Sequence, residues 1–323
     1  MTAHVPTVHP PIPTTISDEA RVVLEAAAVT PVMANPAPAD EAGWQQLGAF
    51  AATADPGMVF ALALATTGAV AQDVVVPIAA RRRGEASYLV AEPAESAGNR
   101  ALLAIHGGSF TFGGGEAARV STGLLAAAYG VRTWGMDYRE LPDHPFPAGL
   151  EDCLTVYRAL LEEFSPEKVV VLGQSGGANL AAALMLRARD EGVPLPAGLA
   201  LLSPPVDLTC AGDSYQTNGF AVAGTGIENV FARYAGHADL RDPHISPLFG
   251  DLTGLPPTIL TAGTRDFLLS DTVRMHRALL RQGVRAELHV WEGAPHGLFM
   301  GRAPEDREQV AQVRGFLEEV WAA

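Results

Sequence analysis

The stretch "VVVLGQSGGANLAAALMLRARDEG", from Val169 to Gly192, carries the decisive information. A run of β-forming residues passes through a serine set among glycines into an alanine- and leucine-rich helical segment. Gly192 and Pro194 supply the helix stop, and Arg187 and Arg189 fall near its negative end. Strand, tight turn and helix in that order are the repeating unit of a parallel sheet. The G-x-S-x-G at Gly173–Gly177 has two readings. It is either a glycine-rich turn that happens to hold a serine, or a nucleophile fixed at the top of a sheet by a strained corner. The motif alone does not choose.

Working outward, the same rhythm recurs. "DVVVPIA" and "ASYLVAEP" read as an antiparallel pair around "RRRGE". Then come "ALLAIHGG", a helix near Glu116–Tyr129, "VRTWGMDY", a helix near Pro147–Phe164, and "KVVVLGQS". "GLALLSPP", "TILTAGTRD", a helix from Ser270, "AELHVWEG" and a last helix to Trp321 complete the series. Continuous apolar strands between amphipathic helices predict an eight-stranded, mostly parallel sheet covered on both faces. From Val206 to His237 the rhythm lapses, which predicts an excursion over the sheet.

The amino-terminal part differs. Residues 1–14 are proline-rich and read as an extended or mobile arm. Ser17 is placed to cap a helix running to about Ala28, with Asp18 and Glu19 in its first turn. Helical "EAGWQQLGAFAAT" follows the break "NPAPAD". "MVFALALATTGAVAQ", Met58–Gln72, imitates a signal core, but it is internal, lacks a basic flank and is too short to span a bilayer. It reads as a buried helix. The expected division is an arm with helices over 1–70 and a sheet domain over 71–323.

Composition narrows the partners. The chain has 323 residues, 48% hydrophobic and 18% charged, as in an ordinary soluble globule with one large core. A net charge of −14 and a single lysine, Lys168, disfavour nucleic acid. Two cysteines, Cys153 and Cys210, cannot make a disulfide framework and suit a reducing compartment, so a cytoplasmic protein without a membrane span is expected.

In open α/β sheets, ligands bind beyond the carboxyl ends of the strands. His106, Ser175 and Asp266 fall at such ends, and His296 follows the last strand. Ser, Asp and His also appear in the chain order of α/β-hydrolases. Serine is a poor nucleophile until an adjacent base takes its proton, and an imidazole titrates near neutrality, so His296 suits that task. Asp266 would fix the imidazole tautomer and stabilise the imidazolium. "HGGSFTFGGG", His106–Gly115, offers backbone donors for an oxyanion through Gly107 and Gly108, joined by the amide of Gly176. Each such donor is worth about 3–4 kcal/mol in the transition state. Asp271, the competing carboxylate, falls one turn into the following helix, where an acidic residue is simply favourable. "HADLRDPH", His237–His244, lacks helical metal-ligand spacing, and no metal is expected there. Ser109, Phe110, Phe112, Phe267, Leu298 and Phe299 flank the reactive groups and are candidates for an apolar acyl or alcohol pocket, although each could equally be core.

The combination resembles the hormone-sensitive-lipase-like (bacterial family IV) carboxylesterases of the α/β-hydrolase fold. It is carried by "HGGSF", "DYRELPDHPFPAGLEDC", "GQSGGANLA", "DPHISPL", "GTRDFLLSD" and "GAPHGLF", all in the family's order from about Ala101 to the end. The resemblance implies cleavage of short- to medium-chain esters through an acyl-enzyme, with Ser175, Asp266 and His296 as catalytic residues and no cofactor. It also implies a small helical cap made of the amino-terminal helices and the 206–237 excursion, and a possible homodimer. Three positions depart from the family pattern: Gln174 where aspartate is usual, Gly176 where alanine is usual, and Ser109 in place of a third glycine. Lactone, amide or carbamate hydrolysis would use the same apparatus. A small-molecule receptor on this scaffold is disfavoured because His296 is present.

Overall fold

The computed structural model describes residues 10–29, 38, 40–51, 76–94, 98–219 and 226–323. The expected helix over Met58–Gln72 and the start of "DVVVPIA" lie outside these residues. The eight strands are β1 (Ile78–Arg83), β2 (Ala86–Ala91), β3 (Ala101–Ile105), β4 (Arg132–Asp137), β5 (Val169–Gln174), β6 (Gly198–Leu202), β7 (Thr258–Gly263) and β8 (Ala286–Trp291). They form one sheet in the order β1-β2-β4-β3-β5-β6-β7-β8, and β2 alone runs against its neighbours.

The central strands β3, β5 and β6 are almost wholly apolar because both sheet faces are covered there. Leu103, Ile105, Val169, Val171, Leu199 and Leu201 point to one side, where α4 (Ala148–Glu163), α5 (Gly176–Asp190) and α8 (Leu269–Arg281) pack. Leu102, Ala104, Val170, Leu172, Ala200 and Leu202 point to the other, against α3 (Glu116–Tyr129) and α9 (Pro304–Ala322). Alternate residues thus enter opposite cores, the period-two rule of a strand with no solvent face.

β1 lies further along the chain than the sequence pattern suggested: its strand is "IAARRR", with Gly84 at φ 59° making the turn. It is an edge strand whose side chains are mostly exposed, so pairing with β2 rather than apolar character defines it. Arginines on such an edge discourage pairing with another chain.

α1 (Asp18–Val29) starts where Ser17 caps it, through Ala20 N–H to Ser17 Oγ at 3.1 Å. Ser17 is also tied to α9, its N–H and hydroxyl donating to the Glu305 carboxylate at 2.9 and 2.8 Å. The described part of the arm is docked rather than mobile. The Arg265 guanidinium donates to the carbonyls of Pro10 and Pro11, and Ile16 is buried.

α2 (Glu41–Ala51) meets the excursion that follows β6. That excursion contains α6 (Ser214–Thr217) and α7 (Ile227–Ala235), and Arg233 of α7 donates to Glu41 at 2.8 Å while lying over the Trp44 ring. Among the described residues, no helix is long and apolar enough to cross a membrane. Cys153 and Cys210 are both free thiols.

Candidate active site

β5 ends at Gln174, and the next residue makes the corner. Ser175 has φ 50° and ψ −123°, a conformation that costs an L-residue energy and is kept only where the surroundings enforce it. Its N–H donates to Leu202 O at 2.8 Å, and its carbonyl accepts from Ala178 N–H at 2.8 Å as the start of α5. Glycine at 177 is a steric requirement, because a side chain there would run into the Ile105 and His106 carbonyls. The helix can therefore begin directly behind the serine, where its N-terminal dipole favours negative charge.

Ser175 Oγ lies 2.9 Å from His296 Nε2. On the other side of the imidazole, Nδ1 lies 3.1 and 3.2 Å from the two Asp266 carboxylate oxygens. Asp266 is fully buried and also accepts the Leu268 N–H at 2.9 Å, with the Ser203 hydroxyl beside it. Burial pushes this carboxyl up, but the His296 charge and these hydrogen bonds outweigh it and hold the group below the usual carboxylate range. The loops bearing Asp266 and His296 are laced together: Thr264 N–H donates to Trp291 O, Arg265 N–H to Ala294 O, and Gly293 N–H to Thr264 Oγ1, all at 2.8–3.0 Å.

Beyond β3, the glycine loop folds back on itself. Thr111 and Phe112 N–H groups both donate to Gly108 O at 2.9 Å, and Leu141 N–H donates to Phe110 O at 2.8 Å. The amides of Gly108, Ser109 and Phe110 take no part in these bonds. The buried His106 ring donates from Nδ1 to Gly107 O at 2.8 Å and stacks on Tyr138, whose hydroxyl donates to His106 O. Burial lowers the His106 pKa to about 4, so the ring is neutral.

Gly107 lies against Gln174, and a Cβ on it would be 3.2 Å from Ser175 Cβ. A Cβ on Gly176 would lie 3.1 Å from the Phe110 amide nitrogen and 3.5 Å from that of Ser109. The loop therefore approaches the elbow more closely than a side chain at 176 comfortably allows, which gives the Gly176 departure a physical reason. Ser109 and Phe110 adopt φ 55° and 60°, left-handed values that carry the chain over Gly176.

The flanking apolar residues divide. Phe267 lies 5.0 Å from the His296 ring by centroids, Phe110 stacks on Tyr234 of the excursion, and Phe112 is half-buried. Leu298 and Phe299 turn away into a separate cluster with Ile16, Ala20, Leu24 and Trp291, so their area is spent on holding α1.

Asp271 does not face the imidazole. It accepts the Asp207 N–H at 3.1 Å near Arg274, and burial pushes its carboxyl up to about 7. In the His237–His244 loop, Asp242 accepts the His244 N–H at 2.8 Å as a local turn.

Sequence reasoning passed over Ser203 and Asn218. Ser203 directly follows β6, between the strands of Ser175 and Asp266, and the strand-end rule would have found it. Asn218 sits in the excursion, and no pattern marks it.

Crossover helices on both faces, a reversed β2 near one edge and the serine corner after β5 define the α/β-hydrolase architecture. Residues 102–300 match the family described as alpha/beta hydrolase fold. An acetyl-hydrolase of Streptomyces hygroscopicus is 35% identical over 224 residues, covering 68% of this chain and 75% of the relative. The crystal structure of an esterase E25 superposes with TM-score 0.83 at 34% identity, covering 97% of each chain. That of the HSL-homolog EstE7 from a metagenome library gives 0.74 at 30% identity, over 86% of this chain and 97% of the other. The chain belongs to the α/β-hydrolase fold family, in its hormone-sensitive-lipase-like branch, and is a carboxylic ester hydrolase.

Proposed function

We propose that the enzyme cleaves short- to medium-chain carboxylic esters through an acyl-enzyme on Ser175. The observation that carries this reading is the hydrogen-bonded series Ser175 Oγ, His296, Asp266, with a 2.9 Å serine–imidazole contact. Ser175 Oγ bonds to the ester carbonyl carbon while its proton passes to His296 Nε2. The tetrahedral intermediate collapses, the C–O bond to the alcohol breaks, and the imidazolium returns the proton to the leaving oxygen. Water then attacks the acyl-serine by the same route, releasing the acid. Asp266 stays ionised throughout and stabilises the imidazolium.

In this reading the amides of Gly107, Gly108 and Gly176 hold the oxyanion. The Ser109 amide, close beside Gly176, is a further donor. Phe267, beside the His296 ring, offers apolar surface to the acyl or alcohol part, whereas Phe110 is buried against Tyr234 and supports the loop instead. The name of the Streptomyces relative favours the short end of the acyl range. α2 and the described parts of the 206–237 excursion form the cap together with α1, a reading supported for α2 and α7 by the Arg233–Glu41 pair and for α7 by the Phe110–Tyr234 stack. The two free thiols suit a cytoplasmic setting.

The test is Ser175→Ala assayed on p-nitrophenyl esters from acetate to decanoate. The expected loss is on the order of 10⁶-fold in kcat, by analogy with other triad serines. Near-normal turnover would remove Ser175 as the nucleophile, and a rate rising steadily with acyl length would remove the short-chain preference.

A further inference from the structure

The excursion after β6 does more than cross the sheet. Its short helix α6 is fastened to the loop that bears Asp266. Ser214 Oγ donates to Phe267 O at 2.7 Å and accepts the Ser270 N–H at 2.8 Å, and Ser270 Oγ accepts the Ser214 N–H at 2.9 Å. The Tyr215 ring meets the Phe267 ring edge-on at 5.7 Å. At the end of α6, one side-chain amide makes two bonds: Asn218 Nδ2 donates to Thr264 O at 3.0 Å and to Asp266 O at 2.9 Å. Both partners are carbonyls, so only the NH2 end of the amide satisfies them, and the orientation is set by chemistry. Thr264 and Asp266 flank Arg265, which the arm holds through Pro10 and Pro11.

We propose that Asn218 is a positioning residue: by holding the carbonyls of Thr264 and Asp266 it fixes the backbone from which the Asp266 carboxylate reaches His296. This rests on the triad reading above. Asn218 does not touch the carboxylate or the imidazole; it acts through the main chain. A serine–imidazole–carboxylate series tolerates little displacement, since an error of about 1 Å can cost on the order of a hundredfold in rate.

Asn218→Asp keeps the shape but turns two donors into acceptors facing two carbonyls. kcat should fall by roughly ten- to hundredfold, with KM changed by less than about threefold. In the uncharged Asn218→Ser variant the acid limb of the kcat/KM profile should move to lower pH, because a displaced carboxylate supports the imidazolium less. Asn218→Ser, with one donor, should fall between this variant and the parent, and Asn218→Gln, which keeps the NH2 group, should lie nearest the parent. Ser214→Ala is the comparator. It loosens α6 without releasing either carbonyl, so it should lower Tm and leave the acid limb in place.

An Asn218→Asp enzyme with kcat within about twofold of the parent would overturn the proposal, as would a loss of Tm in Asn218→Ser with an unmoved profile. Failure of all three Asn218 variants to fold would assign the residue to folding and also overturn it. Ser175→Ala is run in the same assay. If it stays active, the triad reading itself fails. If it is dead while the Asn218 variants keep the parental profile, only the positioning role is lost.

Discussion

The Phe110 and Tyr234 rings stack with centroids 3.9 Å apart and planes 10° from parallel. One belongs to the glycine loop after β3 and the other to α7, so a single aromatic pair joins that loop to the excursion. Phe110 holds φ 60°, which costs an L-residue about 1–2 kcal/mol. A stacked pair contributes about 0.5–1.5 kcal/mol beyond its buried area, enough to offset much of that strain.

Tyr234→Ala should therefore release the loop that carries the proposed oxyanion donors. A fall in kcat of roughly tenfold is expected, about the loss of one transition-state contact poorly placed. The Tyr234 hydroxyl is buried and finds no hydrogen-bond partner among the described residues. Tyr234→Phe should consequently keep full activity and gain up to about 1 kcal/mol of stability in urea unfolding.

Ser203, directly after β6 and at φ 49°, places its hydroxyl beside the Asp266 carboxylate, where it helps hold that group below the usual carboxylate range. A hydrogen bond to a charged group is worth about 1.5–3 kcal/mol, so Ser203→Ala should cost roughly ten- to hundredfold in kcat/KM. Ser203→Gly, which relaxes the φ 49° backbone and also lacks the hydroxyl, separates backbone strain from the loss of the hydroxyl. Equal activity in the alanine variant and the parent would show that the bond carries no weight in catalysis.

Asp152 is buried and binds Arg139 through the guanidinium and the main-chain N–H at 2.9–3.1 Å. This pair ties the segment after β4 back to the start of α4. Removing one partner of a buried pair costs about 3–5 kcal/mol, somewhat less here because Arg139 is partly exposed. Asp152→Ala is expected to lose about 2–3 kcal/mol in denaturant unfolding. A loss below about 0.5 kcal/mol would place the pair with ordinary surface bridges.

Burial lowers the His106 pKa from 6.5 to about 4, partly countered by its bond to the Gly107 carbonyl and the nearby Asp137 charge. The unfolded chain thus takes up a proton before the native state does. The stability from this group is fully present above about pH 6.5 and is lost progressively as pH falls toward 4. Tm followed from pH 7.5 to pH 4 should drop more steeply in the parent than in His106→Gln. Parallel curves for the two proteins would show that His106 charges without cost in the folded state.

Much of the fold was legible because the strands are apolar on both faces and the helices between them carry their own punctuation. Glu116–Tyr129 forms a helix with the expected limits, and the helix read from Pro147 to Phe164 forms over Ala148–Glu163. Legibility failed where side-chain pattern and backbone pairing part company. β1 is built from arginines because an edge strand needs only a partner for its backbone, and no hydropathy rule selects "IAARRR". The proline-rich arm looked free, yet Arg265, distant in sequence, supplies donors for two of its carbonyls.

The amino-acid order alone determined the central strands and the positions where polar side chains emerge from their carboxyl ends, since both follow from local periodicity and turn chemistry. What only the tertiary structure decided is which of those side chains touch. The Asp266–His296 and Ser175–His296 contacts, the Asn218 clamp and the Phe110–Tyr234 stack join residues far apart along the chain. Such contacts depend on how strands and helices pack in three dimensions, and a local pattern does not encode those distances.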